Sequence, residues 1–375
     1  MLLGSSRIAT CVAVATMLMS GCGAPVELKY TSRVDLQQLP AKHQQQIQAS
    51  LEDYFGTARF PKFLAVAPAE EQPADAPQPK LIEREDRGHL QHGQAVYLNQ
   101  CAGCHGVTGD GQGPAAKYLD PPPRDYRLGK FKFTSTPRGV KPRRTDLQRV
   151  LRRGAKGTSM PSFPWMTEDD LEAVIDYVML LSSRGELEYR LGQVAQADLT
   201  EEDDVVPAIV AEQAQGIALS WDEAEQQIVR PLTREITPSE ETIAAGAKAF
   251  VQLNCYKCHG HDGRGIKTGN IGKDDWGRVA RAADLTTGTL HGGGRPIDIY
   301  RRIYSGINGT PMPAFAQPDA NKGETETQRS DTIWHLSHFV NSVANGQPLP
   351  MDVIDAEIRE QLKAQPVEPA AAPSE

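Results

Sequence analysis

The 375-residue chain has little aromatic content: Phe, Trp and Tyr together make up 6% of it. That is lean for large all-protein cores, and it suits small helical domains filled in part by a cofactor. No apolar run is long enough to cross a bilayer as a permanent helix. The best stretch, Ile8 to Met19 (IATCVAVATMLM), falls well short of the roughly 20 residues such a helix needs. Cysteine is also sparse, with six in the chain, and once their local contexts are assigned none is left for a structural disulfide. The strongest basic run carries no interleaved aromatics, which argues against a nucleic-acid interface. The length allows two modest domains.

The first residues read as an export signal, with Arg7 as the positive region ahead of the short apolar run. Met19-Ser20-Gly21-Cys22 resembles the bacterial lipobox, in which cleavage precedes a cysteine that takes lipid. The alternative is an ordinary cleaved signal with Cys22 incidental. The resemblance implies a lipid anchor on Cys22, on the periplasmic side. Gly23, where inner-membrane retention would use Asp, implies outer-membrane sorting. Cys11 leaves with the signal, and the other four cysteines form Cys101-Ala-Gly-Cys104-His105 and Cys255-Tyr-Lys-Cys258-His259.

An internal repeat surrounds those two motifs. A helical pattern starts near Gly88 and another near Glu241, and each runs into a Cys-x-x-Cys-His. Gly93 precedes Tyr97 by four residues and Gly246 precedes Phe250 by four, so each pair shares a helix face. A Gly-rich loop follows each His. Short helices are expected over Asp146–Gly154 and Asp298–Gly306, each leading into Gly-Thr-x-Met-Pro, at Gly157–Pro161 and Gly309–Pro313. Each unit closes with an amphipathic helix: Glu168–Leu181, opened by Thr167 as N-cap, and roughly Asp331–Val343. Repetition at this length is domain duplication.

Cys-x-x-Cys-His is the attachment motif of c-type haem. Thiols one helical turn apart reach both vinyl groups of one porphyrin, and the adjacent His meets the iron. A Cys-x-x-Cys without that His would read as a zinc half-site or a redox pair. Met160 and Met312, at nearly matched distances after His105 and His259, are the candidate sixth ligands, because a soft thioether favours ferrous iron. Packing is the commoner fate of a Met. Unrepeated competitors are Met166, Met179 and Met351, with His89 or His92 for the first site and His261 or His291 for the second.

Both units resemble class I cytochrome c domains, and the whole resembles tandem di-haem electron-transfer cytochromes. The resemblance implies a mainly α fold with two helical haem domains joined by a long acidic linker. The boundaries are 1–21 for the signal, 22–83 for an N-terminal segment with a Pro-rich linker, and 84–184 for domain 1. The acidic segment is 185–239, domain 2 is 240–346, and the tail is 347–375. It further implies that first and last helices cross beside the haem, at Gly93 with Tyr177 and Gly246 with Phe339. Two haem c groups would be held by Cys101, Cys104, Cys255 and Cys258, with His105, Met160, His259 and Met312 on the irons. Asp35 to Tyr54 reads as a docking helix, and a helix or two is expected around Val206–Gln213 and Trp221–Ile228.

Two filled irons imply an electron carrier and no enzyme in its own right. Its partners would be respiratory membrane proteins: a quinol-oxidising complex or dehydrogenase as donor, a terminal oxidase or reductase as acceptor. The rival is a di-haem peroxidase, which needs one iron that opens. Lys117 to Lys156 holds 13 bases against three acids, and Glu186 to Glu241 holds 14 acids against three bases. The basic run either steers an acidic partner or pairs internally with the acidic segment.

Overall fold

The structure, a computed structural model, describes residues 28–67, 80–83, 87–265 and 271–364. The signal peptide, Cys22, most of the Pro-rich linker and the tail beyond Ala364 lie outside the described residues. The fold is mainly helical, and its hydrophobic residues gather in two cores. Among the described residues, no helix is long and apolar enough to cross a membrane.

The first core is built on helices α1 (Ala41–Phe55), α2 (Arg87–Gln100), α3 (Ala102–His105), α4 (Arg144–Arg153) and α5 (Glu168–Asp198). Helix α5 starts where a stop and a charge pattern dictate. The Thr167 hydroxyl accepts the Asp170 N–H at 3.1 Å, and Glu168, Asp169 and Asp170 place negative charge at the positive end of the helix. The helix expected over 168–181 continues to Asp198, so the expected domain end at 184 falls inside it. The added turns bury Leu187, Leu191 and Ala195, and both α1 and the segment after α5 pack along this helix. Helix α1 supplies His43, Ile47, Leu51 and Phe55, four residues apart along one stripe, which is the docking helix read from the Gln-rich segment. A two-stranded antiparallel ribbon, β1 (Leu64–Val66) with β2 (Leu81–Glu83), edges this core.

The acidic segment is not a loose tether. Beyond the end of α5 it forms α6 (Pro207–Ala224), which spans the stretch where a helix or two was expected and lays Val210, Ala214, Ile217 and Trp221 into the first core. Pro207 opens it at a position where its missing N–H costs nothing.

The second core repeats the plan with α7 (Glu240–Gln252), α8 (Tyr256–His259), α9 (Pro296–Ser305) and α10 (Glu326–Ala344). Helices α7 and α10 each open with a capping box, Ser239 with Thr242 and Thr325 with Gln328. A further helix, α11 (Met351–Ala364), packs on α7 and buries Ile354. It lies within 347–375, the stretch expected as a tail.

In both units the helix that runs into the Cys-x-x-Cys-His crosses a later helix at a glycine, α2 with α5 and α7 with α10. A Cβ on Gly93 would stand 2.0 Å from the Ala173 carbonyl oxygen, and one on Gly246 would stand 2.1 Å from that of His335. Beside each crossing two rings meet at almost the same separation and tilt: Tyr97 with Tyr177 (5.4 Å, 55°) and Phe250 with Phe339 (5.3 Å, 53°). These are the crossings the resemblance implied.

The cores abut through polar contacts. Lys130 and Lys132 pair with Asp275 and Asp274, and Arg302 donates to the carbonyls of Lys132 and Thr134. Within the first unit, Arg143 meets Glu225, Arg144 meets Glu172 and Asp176, and Lys141 meets Glu186 in a buried pair. Much of the basic run is therefore engaged inside the molecule, partly by the acidic segment and partly by the second unit.

Candidate functional site

Each Cys-x-x-Cys-His winds into one short helical turn at the end of the preceding helix. In the first, the N–H groups of Cys104 and His105 donate to the Cys101 carbonyl at 3.1 and 2.9 Å. In the second, Cys258 and His259 donate to the Cys255 carbonyl at 3.2 and 2.9 Å. Residues i and i+3 of a turn share a face, so the two sulfurs of each pair point the same way. Cys101 is buried, Cys104 and Cys255 half-buried, and Cys258 exposed. Burial pushes the Cys101 and Cys255 thiols up to about 12. A thiol-disulfide redox pair needs the opposite shift. Among the described residues, no group of three or more His, Cys, Asp or Glu is placed to hold a metal ion alone.

The histidines are oriented identically. His105 Nδ1 donates to the Arg124 carbonyl at 3.0 Å and His259 Nδ1 to the Ala283 carbonyl at 3.1 Å. With the proton on Nδ1, the Nε2 lone pair of each ring is available to a metal, and among the described residues it has no hydrogen-bond partner. Burial lowers the pKa of both rings, which favours that neutral form. The carbonyls are presented by matching loops: Tyr126 N–H bonds Gly109 O (2.7 Å) and Leu285 N–H bonds Gly263 O (2.8 Å). In each, an Asp caps the next turn, Asp125 to Arg127 N and Asp284 to Thr286 N.

The Met loops also repeat, bond for bond. Thr158 N–H and its hydroxyl both donate to Ala155 O, and Met160 N–H donates to the Thr158 hydroxyl at 3.1 Å. Thr310 N–H and hydroxyl donate to Ile307 O, and Met312 N–H donates to the Thr310 hydroxyl at 3.3 Å. Gly154 and Gly306 enter these loops at φ +69° and +67°. A Cβ there would lie 2.7 Å from Met160 O and 2.6 Å from Pro313 C respectively, so both the dihedral and the space call for glycine. Met160 and Met312 are each half-buried against their own core.

Of the competing residues, Met166 and Met179 are core residues at 2% exposure, and Met351 is exposed at the start of α11. His89 faces Asp176 at 3.1 Å and His92 faces Asp170 at 2.8 Å. His261 packs edge-on against Tyr256, and His291 Nδ1 donates to the Lys156 carbonyl.

The family model for cytochrome c matches residues 90–182 and 243–344, together just over half of the chain. The chain belongs to the cytochrome c family. A chain of the reducing HAO-like protein complex of Kuenenia stuttgartiensis is similar to this cytochrome at 30% identity. The match covers 68% of this chain and 96% of that one, with a TM-score of 0.50. No curated protein matches the sequence.

A covalently bound haem c fits the residues this cytochrome presents. Each unit offers two thiols on one face, a neutral imidazole with Nε2 available, and a thioether on a braced loop. Near the first site Arg124 Nη1 is buried without a hydrogen-bond partner, which suits an anionic propionate. Burial, reinforced by the neighbouring Arg278 charge, brings the Arg124 guanidinium down to about 10. The sequence reading missed Arg124 and Ala283 because they act through backbone carbonyls. The paired Asp125 and Asp284 caps were the only available signal.

A separate pair of histidines ties stability to pH. Burial lowers the pKa of His335 and His338 on α10 below the usual 6.5. Between each folded value and about 6.5 the unfolded chain holds more protons, so stability rises with pH through that window and falls on acidification. Thermal unfolding is expected to move to lower temperature between about pH 7 and pH 5. Replacing both residues by Asn is expected to flatten that slope, and an equal slope in wild type and variant would contradict the assignment.

Proposed function

We propose that this cytochrome carries two haem c groups and passes single electrons, as a carrier or as a subunit of a larger oxidoreductase complex. Cys101, Cys104, Cys255 and Cys258 hold the haems. His105 and Met160 would hold one iron, and His259 and Met312 the other. When bound, each haem supplies a one-electron couple. The Thr158 and Thr310 hydroxyls fix the Met loops, and the Arg124 and Ala283 carbonyls fix the imidazoles. Little then needs to rearrange when an electron arrives.

The observation that carries this reading is the bond-for-bond repetition of the Met loop. A packing Met needs no conserved hydrogen-bond frame, whereas a ligand does. The similarity to a chain of an HAO-like complex favours work inside an enzyme assembly. Lipid on Cys22 would hold the protein at the periplasmic side of the envelope, among membrane-bound donors such as a quinol-oxidising complex or dehydrogenase and acceptors such as a terminal oxidase or reductase.

Peroxide separates this reading from the di-haem peroxidase. The half-reduced protein is expected to exchange electrons rapidly with a small redox protein and to turn over hydrogen peroxide no faster than free haem. Rapid peroxide turnover would make it the enzyme.

A further inference from the structure

One residue of the second unit touches the supports of both sites. Trp276 Nε1–H donates to the Asp125 carbonyl at 3.1 Å, the peptide next to the Arg124 carbonyl that receives His105. The Arg124 guanidinium lies over the indole, 4.0 Å from its centroid. The other side of the indole rests on the Met312 loop, where a Cβ on Gly309 would stand 2.6 Å from the ring. Asp275 N–H also donates to the Gly309 carbonyl at 3.0 Å.

The bracing runs in the opposite direction as well. Arg138 of the first unit donates to the Thr310 carbonyl at 2.9 Å and to that of Met312, and Gly139 N–H donates to Asn308 Oδ1 at 2.8 Å. At the other Met loop, His291 of the second unit donates to the Lys156 carbonyl, and Thr289 sits where a Cβ of Gly157 would go.

We propose that Trp276 is a positioning residue that couples the two haem sites, transmitting displacement of the Met312 loop to the hydrogen bond that orients His105. The proposal rests on the reading of both sites as haem sites. Its physical basis is contact continuity. The indole has a rigid ring, an N–H bond at one edge and a backbone seat at the other, so the Met312 loop and the 124–125 peptides move together. Coupling between sites is reciprocal, so ligation at the first site also biases the Met312 loop.

A double-mutant cycle on the full-length holoprotein tests this, with the midpoint potential of each haem followed separately through its haem methyl resonances. Met312→Ala is expected to shift the midpoint of the first site by an amount equivalent to about fivefold or more in its reduction equilibrium. In the Trp276→Leu background the same substitution is expected to leave that midpoint in place. Absence of a cross-domain shift in wild type overturns the proposal. So does an equal shift with and without Trp276, which would mean direct charge interaction between the haems. If Trp276→Leu does not fold, Trp276→Phe deletes the N–H bond and shortens the ring that reaches Gly309 while keeping an aromatic side chain; a reduced cross-domain shift supports the coupling and an unchanged one overturns it. Haem content measured on every variant separates failure of the coupling from failure of the two-haem reading.

Discussion

Met160→Ala is expected to remove the methionine–iron charge-transfer band of the first site and leave that of the second, and Met312→Ala is expected to do the reverse. Each is also expected to lower the potential of its own haem, since a thioether stabilises ferrous iron more than the water or hydroxide that would replace it. The controls lie within a few turns of the same chain. Met166 and Met179 are 2% exposed in the first core, so truncating either to Ala costs about 2–5 kcal/mol of stability and leaves both bands intact. A band that survives Met160→Ala but disappears with Met166→Ala would show that the ligand had been misassigned. Thr158→Val adds a graded case, because it deletes the hydroxyl that receives the Met160 N–H while keeping the side-chain volume. The band is expected to weaken or broaden without vanishing.

Gly246→Ala is expected to destabilise the second unit by about 1–3 kcal/mol, the usual range for overpacking a tight interior. Helix propensity alone would favour Ala over Gly by roughly 0.8–1 kcal/mol, so propensity and packing make opposite forecasts. Packing wins because the new methyl meets a backbone carbonyl at 2.1 Å and Phe339 Cβ at 2.7 Å, and a carbonyl on α10 cannot rotate aside as a side chain can. Helices α7 and α10 must separate, which loosens the Phe250–Phe339 contact. Gly93→Ala repeats the experiment in the first unit against the Ala173 carbonyl. Thermal unfolding of the holoprotein measures both. A higher melting temperature for either variant would show that the crossing has slack.

The helical units and their motifs were legible because duplication supplied an internal control. A lone Gly four residues before an aromatic says little, but Gly93–Tyr97 and Gly246–Phe250 in register with two Cys-x-x-Cys-His motifs identify a crossing. The same logic singled out Met160 and Met312 over Met166 and Met179. Where the copies diverge, the sequence was less informative. Helix α5 runs on to Asp198 with Leu187, Leu191 and Ala195 buried along its later turns, whereas α10 ends at Ala344. Helix α11 carries apolar residues four apart, Ile354, Ile358 and Leu362, but it lies after both repeats, with no motif and no second copy to set it against. The fate of the basic run depended on tertiary pairing. Lys130 and Lys132 find Asp275 and Asp274 across the interface, about 145 residues away in the chain. Trp276 has no counterpart in the first unit, so repetition could not flag it.

The central claim is two covalently bound haems, one per Cys-x-x-Cys-His. The most direct test is the haem-to-protein ratio of the purified chain, read from the reduced pyridine spectrum, with Cys101→Ser/Cys104→Ser and Cys255→Ser/Cys258→Ser variants beside the wild type. Two c-type haems in the wild type and one in each double variant are expected. A wild-type ratio of one or none, or a double variant that keeps both haems, would contradict the claim.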